Sequence, residues 1–267
     1  MSKRVDLLAI DIDGTLLDDQ RSISPQNRAA IARATAQGVT VVLASGRFAP
    51  SIAPFARDLG LGPTKIGANG AHIVGSTGQD LFYRGLSRQV TAQVVRFAEE
   101  NALHLNAYTR HEILFLQETP WSELYRDRVR EVRPRLATPG EILTTRVTKL
   151  LYILEPDALP TVRARIEPAI EPAEAVLAES EREYLEFMPA GVNKGAALKI
   201  LAESLGIPQA RTAAIGDYLN DLEMLEWAGI SAAVENAPDQ VKQVAKCKVS
   251  SNIRDGVAEF IEQFVLD

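Results

Sequence analysis

The fold is decided by the stretch Leu7-Leu8-Ala9-Ile10-Asp11-Ile12-Asp13-Gly14-Thr15-Leu16-Leu17, in which an apolar run ends in two aspartates one residue apart. The apolar residues predict a buried strand, and Gly14 predicts a turn directly after it, because glycine adopts backbone angles that other residues avoid. Side chains in a strand alternate between faces, so Asp11 and Asp13 are expected to begin on the same side. At ~4 Å and an effective dielectric constant near 20, their repulsion costs roughly 4 kcal/mol. A divalent cation or a shared proton would relieve it.

Composition narrows the class of protein. The chain has 267 residues, 46% hydrophobic and 24% charged, which is ordinary for a globular protein of one or two domains. Its net charge of −6 gives no electrostatic reason to expect nucleic acid or an anionic membrane as a partner. No apolar run approaches the roughly 20 residues that span a bilayer. The single cysteine, Cys247, excludes an internal disulfide and favours a cytoplasmic location, while the sequence leaves open a monomer or a homodimer.

The order of predicted elements indicates an α/β core that is interrupted by an insertion. Residues 7–67 alternate strand, helix, strand, helix and strand, which is typical of a parallel sheet. Residues 84–188 contain neighbouring strands with no helix between them, as well as helices such as one predicted over 121–132, and this predicts an antiparallel-rich α+β domain. The α/β rhythm returns from Gly191. We therefore predict a core formed by residues 1–83 and 189–267, with an inserted cap over 84–188.

Polar residues stand where three apolar runs end: Asp11, Ser45 and Asp217. Ligands of open parallel sheets bind outside the carboxyl ends of the strands, so these three residues are expected to converge. Lys194, at the start of a helix after the chain returns from the insertion, is expected to join them. Carboxylates, a hydroxyl and an ammonium group suit phosphoryl transfer, which needs a metal, a cationic clamp and a group that receives the phosphoryl.

Four motifs resemble those of the haloacid dehalogenase superfamily in both order and spacing. They are Asp11-Ile12-Asp13-Gly14-Thr15, Ser45-Gly46-Arg47, Lys194 and Gly216-Asp217-Tyr218-Leu219-Asn220-Asp221. Three further segments are similar to those of the Cof-type phosphatases: Ala68-Asn69-Gly70-Ala71, Asn193-Lys194-Gly195 and Ser251-Asn252-Ile253-Arg254-Asp255-Gly256-Val257. The resemblance covers the whole core. It implies an α/β fold with a Rossmann-like parallel-sheet core and a large cap inserted between the second and third motifs.

The resemblance implies catalytic roles for four residues. Asp11 would attack the substrate phosphorus and become an aspartyl-phosphate, and Asp13 would protonate the leaving alcohol and then deprotonate water. Ser45 would donate a hydrogen bond to a phosphoryl oxygen, and Lys194 would neutralise charge on that group and on Asp11.

The resemblance also implies a metal site and a substrate side. Mg²⁺ would bind Asp11, the main-chain carbonyl of Asp13 and Asp217, and two further residues, Asn220 and Asp221, would support this site. Arg47, Asn69 and Gly70 would lie on the substrate side.

The implied activity is Mg²⁺-dependent hydrolysis of a small phosphate ester, such as a sugar phosphate or a phosphorylated cofactor. Two alternatives stay open: a phosphomutase, which returns the phosphoryl group to its substrate, and a non-catalytic metabolite-binding protein on the same fold. The sequence departs from the family at Glu235, where relatives usually have glycine. This extra carboxylate either disfavours strongly anionic substrates or points to solvent.

Overall fold

The computed structural model describes residues 5–129 and 132–266. They form two compact units: unit 2 is continuous over Tyr83–Val192, and unit 1 comprises the chain before and after it. Each unit has its own sheet and its own hydrophobic core. That these units act as the predicted core and cap domains stays a prediction.

The elements alternate along the chain as follows. The strands are β1 (Leu7–Ile10), β2 (Thr40–Ala44), β3 (Lys65–Gly67), β4 (His72–Val74), β5 (Asp80–Tyr83), β6 (His104–Tyr108), β7 (Ile113–Phe115), β8 (Arg135–Leu136), β9 (Lys149–Ile153), β10 (Ala175–Glu181), β11 (Tyr184–Pro189), β12 (Thr212–Gly216), β13 (Ile230–Val234) and β14 (Cys247–Val249). The helices are α1 (Pro25–Ala36), α2 (Ala49–Asp58), α3 (Arg88–Glu100), α4 (Pro120–Arg128), α5 (Pro139–Thr144), α6 (Leu159–Ile166), α7 (Lys194–Ser204), α8 (Leu222–Trp227), α9 (Asp239–Val244) and α10 (Gly256–Phe260).

Unit 1 is organised around β1, which lies inside an eight-stranded sheet of order β14-β13-β12-β1-β2-β3-β4-β5. The strands from β14 to β3 pair in parallel, and β4 pairs with β3 in the antiparallel sense. Ile10 is level with Leu43 on β2 and with Ile215 on β12. The residues that follow these strands therefore share one edge of the sheet, because parallel strands end on the same side. The predicted α/β fold class with a parallel-sheet core is confirmed.

Helix starts in unit 1 follow local sequence signals. Ser24 caps α1 by accepting a hydrogen bond from the backbone N–H of Asn27, and Pro25 occupies the first helical position. Asn193 caps α7 in the same way, since its side-chain oxygen accepts from the N–H of Ala196 at 2.7 Å. This cap fixes the start of α7, and Lys194 is the first residue after it.

Unit 2 contains a six-stranded sheet of order β10-β11-β9-β6-β7-β8. Its pairs are antiparallel except β7 with β8, which agrees with the predicted antiparallel-rich character. Helix α3 buries one apolar face in the core of this unit, with Val90, Val94 and Val95 all buried. The hydroxyl of Tyr152 on β9 donates to the backbone oxygen of Val94 at 2.6 Å and ties the helix to the sheet.

Several short elements differ from the sequence predictions. The sequence indicated no strand at β4, β5, β8 or β14 and no helix at α5, because runs of two to six residues carry too little periodicity. The helix predicted over 121–132 is α4, which ends at Arg128, and residues 130–131 of the predicted range lie outside the described residues.

Within the described residues, none of the helices has the length and apolar character needed to cross a membrane.

Candidate active site

The site is centred on a buried ion-pair network in unit 1. The Nζ atom of Lys194, with a fully buried side chain, donates to Oδ1 of Asp11 and to Oδ1 of Asp221, both at 2.6 Å. The other oxygen of Asp221 accepts from the backbone N–H groups of Asp217 and Tyr218, at 3.0 and 3.1 Å. Asp221 therefore holds Lys194 on one side and the loop after β12 on the other.

Asp217 lies beside this network and is oriented by the turn after β1. Its Oδ1 accepts a hydrogen bond from the hydroxyl of Thr15 at 2.8 Å. Gly14 has φ +80°, and a Cβ atom at this position would lie 2.3 Å from Oδ2 of Asp217. Only glycine lets the turn approach this carboxylate so closely. Thr15 was not predicted as a site residue, although it stands inside the quoted stretch.

The carboxylates of Asp11, Asp217 and Asp221 offer oxygen atoms within 4.8 Å of one another. When all four groups are ionised, the three carboxylates and one ammonium group carry a formal excess of two negative charges in a buried place. Oxygen donors are those that Mg²⁺ and Ca²⁺ prefer. The residues therefore fit a divalent cation. Asp11 and Asp217 are the carboxylates that would bind it, because both oxygens of Asp221 are already bonded to protein groups.

The pKa values of the Asp11 and Asp217 carboxyl groups are raised first by burial and then by this excess of negative charge. Burial and then the neighbouring Asp221 raise the pKa of Asp11 well above its usual range, against the effect of Lys194. Burial and Asp221 also raise the pKa of Asp217 to about 6. Burial lowers the pKa of Lys194, but Asp11 and Asp221 raise it more, so it lies above its ordinary value and the ammonium form is kept.

Asp13 occupies a different environment from Asp11. Strand β1 ends at Ile10, and a wide turn over Ile12–Leu16 begins directly after Asp11, so the alternation of a strand does not extend to Asp13. The Asp13 side chain is 53% exposed, and its carboxylate accepts two hydrogen bonds from Arg47, from Nε and Nη2, both at 2.6 Å. The direct repulsion expected between Asp11 and Asp13 is replaced by this pair, and the carboxylates that act on Asp11 are Asp221 and Asp217.

The contact with Arg47 also sets the ionisation of Asp13. Burial raises the pKa of Asp13, but the hydrogen bonds and charge of Arg47 outweigh it, and the pKa lies below the usual range. Arg47 was predicted on the substrate side; in this structure its guanidinium group bonds to Asp13 and lies 4.9 Å from the centre of the Phe55 ring.

The remaining predicted residues bond to or pack against one another and the start of α7. Ser45 is buried, and its hydroxyl accepts from the N–H of Arg47 at 3.1 Å. Asn69 accepts from Nδ2 of Asn220 at 3.0 Å, so these two predicted residues bond to each other. Gly70 has φ +98°, and a Cβ atom there would lie 2.3 Å from a backbone oxygen of the α7 cap. The structure thus brings Asp11, Lys194, Asp217 and Asp221 into one cluster, while Asp13 pairs with Arg47 and Asn220 pairs with Asn69.

Comparison with known proteins identifies the family. The profile of the haloacid dehalogenase-like hydrolases matches residues 8–261. The chain belongs to this family. A 5-amino-6-(5-phospho-D-ribitylamino)uracil phosphatase of Bacillus subtilis is 32% identical to it, and the match covers 98% of this chain and 96% of the relative. An HMP-PP phosphatase of Cronobacter sakazakii is 30% identical over 87% of this chain and 85% of its own. A haloacid dehalogenase-like hydrolase from Bacteroides thetaiotaomicron superposes with a TM-score of 0.88 and 29% identity, covering 97% of this chain and 99% of that one.

Family membership and these relatives make the chain a haloacid dehalogenase-type phosphatase of the Cof family. The resemblance inferred from the motifs is confirmed.

Proposed function

We propose that this phosphatase uses Mg²⁺ to hydrolyse small phosphorylated metabolites through an aspartyl-phosphate on Asp11. The observation that carries the proposal is the cluster of Asp11, Asp217 and Asp221 around Lys194, with a formal excess of two negative charges. The substrate class is supported by the relatives, whose names describe phosphatases of a phosphoribityl uracil compound and of HMP-PP.

In the first step, an oxygen of the Asp11 carboxylate attacks the substrate phosphorus, and the bond from phosphorus to the leaving oxygen breaks. Lys194 holds Oδ1 of Asp11 at 2.6 Å, which fixes the direction of the carboxylate. Mg²⁺, held by Asp11 and Asp217, would neutralise charge on the phosphoryl oxygens and on the nucleophile. Ser45 would donate its hydroxyl hydrogen to the phosphoryl group.

Asp13 supplies the proton that the leaving oxygen needs. Its pair with Arg47 keeps it ionised, so a phosphate oxygen must first attract Arg47, which forms strong paired hydrogen bonds to phosphate. Asp13 then takes a proton from solvent and gives it to the leaving alcohol. In the second step Asp13 removes a proton from water, the water oxygen attacks phosphorus, and the Asp11–phosphorus bond breaks to release phosphate.

The test is phosphate release from p-nitrophenyl phosphate by wild type and Asp11→Asn. We expect the variant to lose at least about three orders of magnitude in kcat while its circular dichroism spectrum is unchanged. EDTA should abolish wild-type activity, and added Mg²⁺ should restore it. Asp58→Asn, at an exposed carboxylate in unit 1, is the matched control and should keep normal activity. Normal turnover by Asp11→Asn would exclude the aspartyl-phosphate route.

Labelled water separates hydrolysis from the phosphomutase alternative. A hydrolase places one solvent oxygen in each released phosphate, whereas a mutase returns the phosphoryl group to an organic substrate without it. Lack of any phosphate release, with and without EDTA, would favour the non-catalytic alternative.

A further inference from the structure

Two loops at the carboxyl edge of the unit 1 sheet reach back to the turn that carries Asp13. Asn236, after β13, donates from Nδ2 to the backbone oxygen of Gly14 at 2.8 Å. Asn252, after β14, donates from Nδ2 to the backbone oxygen of Leu17 at 2.9 Å. One contact lies directly after Asp13, and the other lies at the far end of the turn.

The two asparagines are also bonded to each other. The backbone N–H of Asn252 donates to Oδ1 of Asn236 at 3.0 Å. The Asn236 amide oxygen thus accepts from an N–H group, and its nitrogen donates to a carbonyl. Because only the amide nitrogen can donate, these two bonds fix the orientation of the amide. Glu235, next to Asn236, and Arg254, two residues after Asn252, form an ion pair that joins the same two loops. Glu235, the residue at which the sequence departs from its family, is therefore paired with the guanidinium group of Arg254.

The turn over Ile12–Leu16 depends on such external contacts. Asp13 (φ −82°, ψ 120°) and Gly14 (φ 80°, ψ −5°) both leave helical geometry inside it. The N–H of Leu17 donates to the oxygen of Ile12 at 2.9 Å and closes the turn without holding the backbone next to Asp13. Asn236 holds the carbonyl of Gly14, the residue after Asp13.

We infer that Asn236 and Asn252 are positioning residues that hold Asp13 in place for proton transfer. The inference rests on the proposed function, since it assigns them to the residue that protonates the leaving group. They act through the backbone of the turn.

The experiment measures kcat/KM on two classes of substrate, with Asn236→Ala, Asn252→Ala and Asp13→Asn. kcat/KM reports the steps up to departure of the leaving group. An alkyl phosphate needs its leaving oxygen protonated, whereas p-nitrophenol leaves readily as an anion. General acid catalysis contributes about 10²- to 10⁴-fold, so a displaced acid should lower kcat/KM for the alkyl phosphate by about tenfold or more. For p-nitrophenyl phosphate we expect a loss below about threefold, from the same argument.

Controls separate the inference from the proposed function. Asn101→Ala removes a similar bond, from a side-chain amide to the backbone oxygen of Phe97 at 2.8 Å in unit 2, and should change neither substrate class. Asp13→Asn should show the strongest dependence on the leaving group, and Asn236→Ala added to it should cause no further selective loss. If Asp13→Asn lacks this dependence, the proposed role of Asp13 fails.

If Asp13→Asn has the dependence but both asparagine variants lose activity equally on the two substrates, or lose none, the positioning role is overturned. The side chain of Asn236 is exposed, so Asn236→Ala is expected to fold even where Asn252→Ala does not, and it carries the test alone in that case.

Discussion

Each unit of this protein contains a buried lysine paired with carboxylate, and the two lysines differ in their balance of charge. In unit 2, Nζ of Lys149 donates to Oε1 of Glu186 at 2.8 Å and lies 4.6 Å from the centre of the Tyr108 ring. Within the described part of the chain, this lysine bonds to one carboxylate, so the pair is neutral. In unit 1, Lys194 bonds to two carboxylates and a third stands beside them. The unit 2 pair has one carboxylate for one ammonium group, whereas in the unit 1 cluster three carboxylates surround one ammonium group.

The largest effect is expected from Lys194→Met. The change leaves Asp11 and Asp221 without their shared cation, and breaking a buried pair typically costs about 3–5 kcal/mol. Activity should also fall by about 10²- to 10³-fold, as when one stabilising donor is lost from an active site. Urea unfolding and phosphate release measure the two effects. A variant with wild-type turnover would break the comparison, because the lysine would then be structural, like Lys149.

Lys149→Met tests the neutral pair. It leaves Glu186 buried and unpaired, so the free energy of unfolding should fall by about 3–5 kcal/mol. Replacing both residues, as Lys149→Met with Glu186→Leu, should recover most of that loss, because an apolar pair of similar volume needs no charge compensation. If the double variant recovered no free energy of unfolding, the two side chains would stabilise the sheet by contacts other than the pairing of their charges.

Mg²⁺ should stabilise the folded protein through the unit 1 cluster alone. At 100 times the dissociation constant, a ligand that binds only the folded state adds about 2.7 kcal/mol. Thermal unfolding with and without Mg²⁺ measures this in wild type, and Asp217→Asn should abolish most of the gain. Lys149→Met should keep it, and an equal loss in both variants would contradict a site confined to the cluster.

The smallest effect is expected from His104, a buried base of unit 2 whose Nδ1 faces the Thr119 hydroxyl at 2.7 Å. Burial lowers the pKa of His104 to about 4, so the folded state keeps it neutral. The unfolded chain binds a proton near pH 6.5, so stability is lost as the pH falls from about 6.5 toward 4. Between pH 7 and pH 5 the loss from this group is about 2 kcal/mol. His104→Gln should reduce this pH dependence of the free energy of unfolding, measured with urea. An unchanged pH dependence would mean that another group causes it.

Part of the unit 1 cluster could be predicted from sequence because one geometric rule covers Asp11 and Asp217. Asp11 and Asp217 follow parallel strands, and such residues meet at one edge of the sheet. Lys194 was expected to join them from its place at a helix start, and the family motif supported this. Nothing local to a helix start indicates which carboxylates it will meet 183 and 27 positions away.

The rest was hidden for physical reasons. The partner of Asp13 could not be predicted, because a turn replaces the strand after Asp11 and removes the alternation on which the prediction relied. The amide of Asn236 bonds to a backbone oxygen 222 positions away, and any residue presents such an oxygen, so the sequence has no signal for it. The Lys149–Glu186 pair joins two strands whose pairing the sequence does not specify.

The interruption of unit 1 by unit 2 sets an order of events during synthesis. Strand β1 emerges from the ribosome before unit 2, but its neighbour β12 begins only at Thr212, after all of unit 2 has been translated. The nascent chain therefore exposes an edge of its central strand while more than a hundred intervening residues are added. Unit 2 is a continuous segment and has all of its strands before β12 exists. Asp11 is thus made before unit 2, and its acidic neighbours Asp217 and Asp221 are made after unit 2.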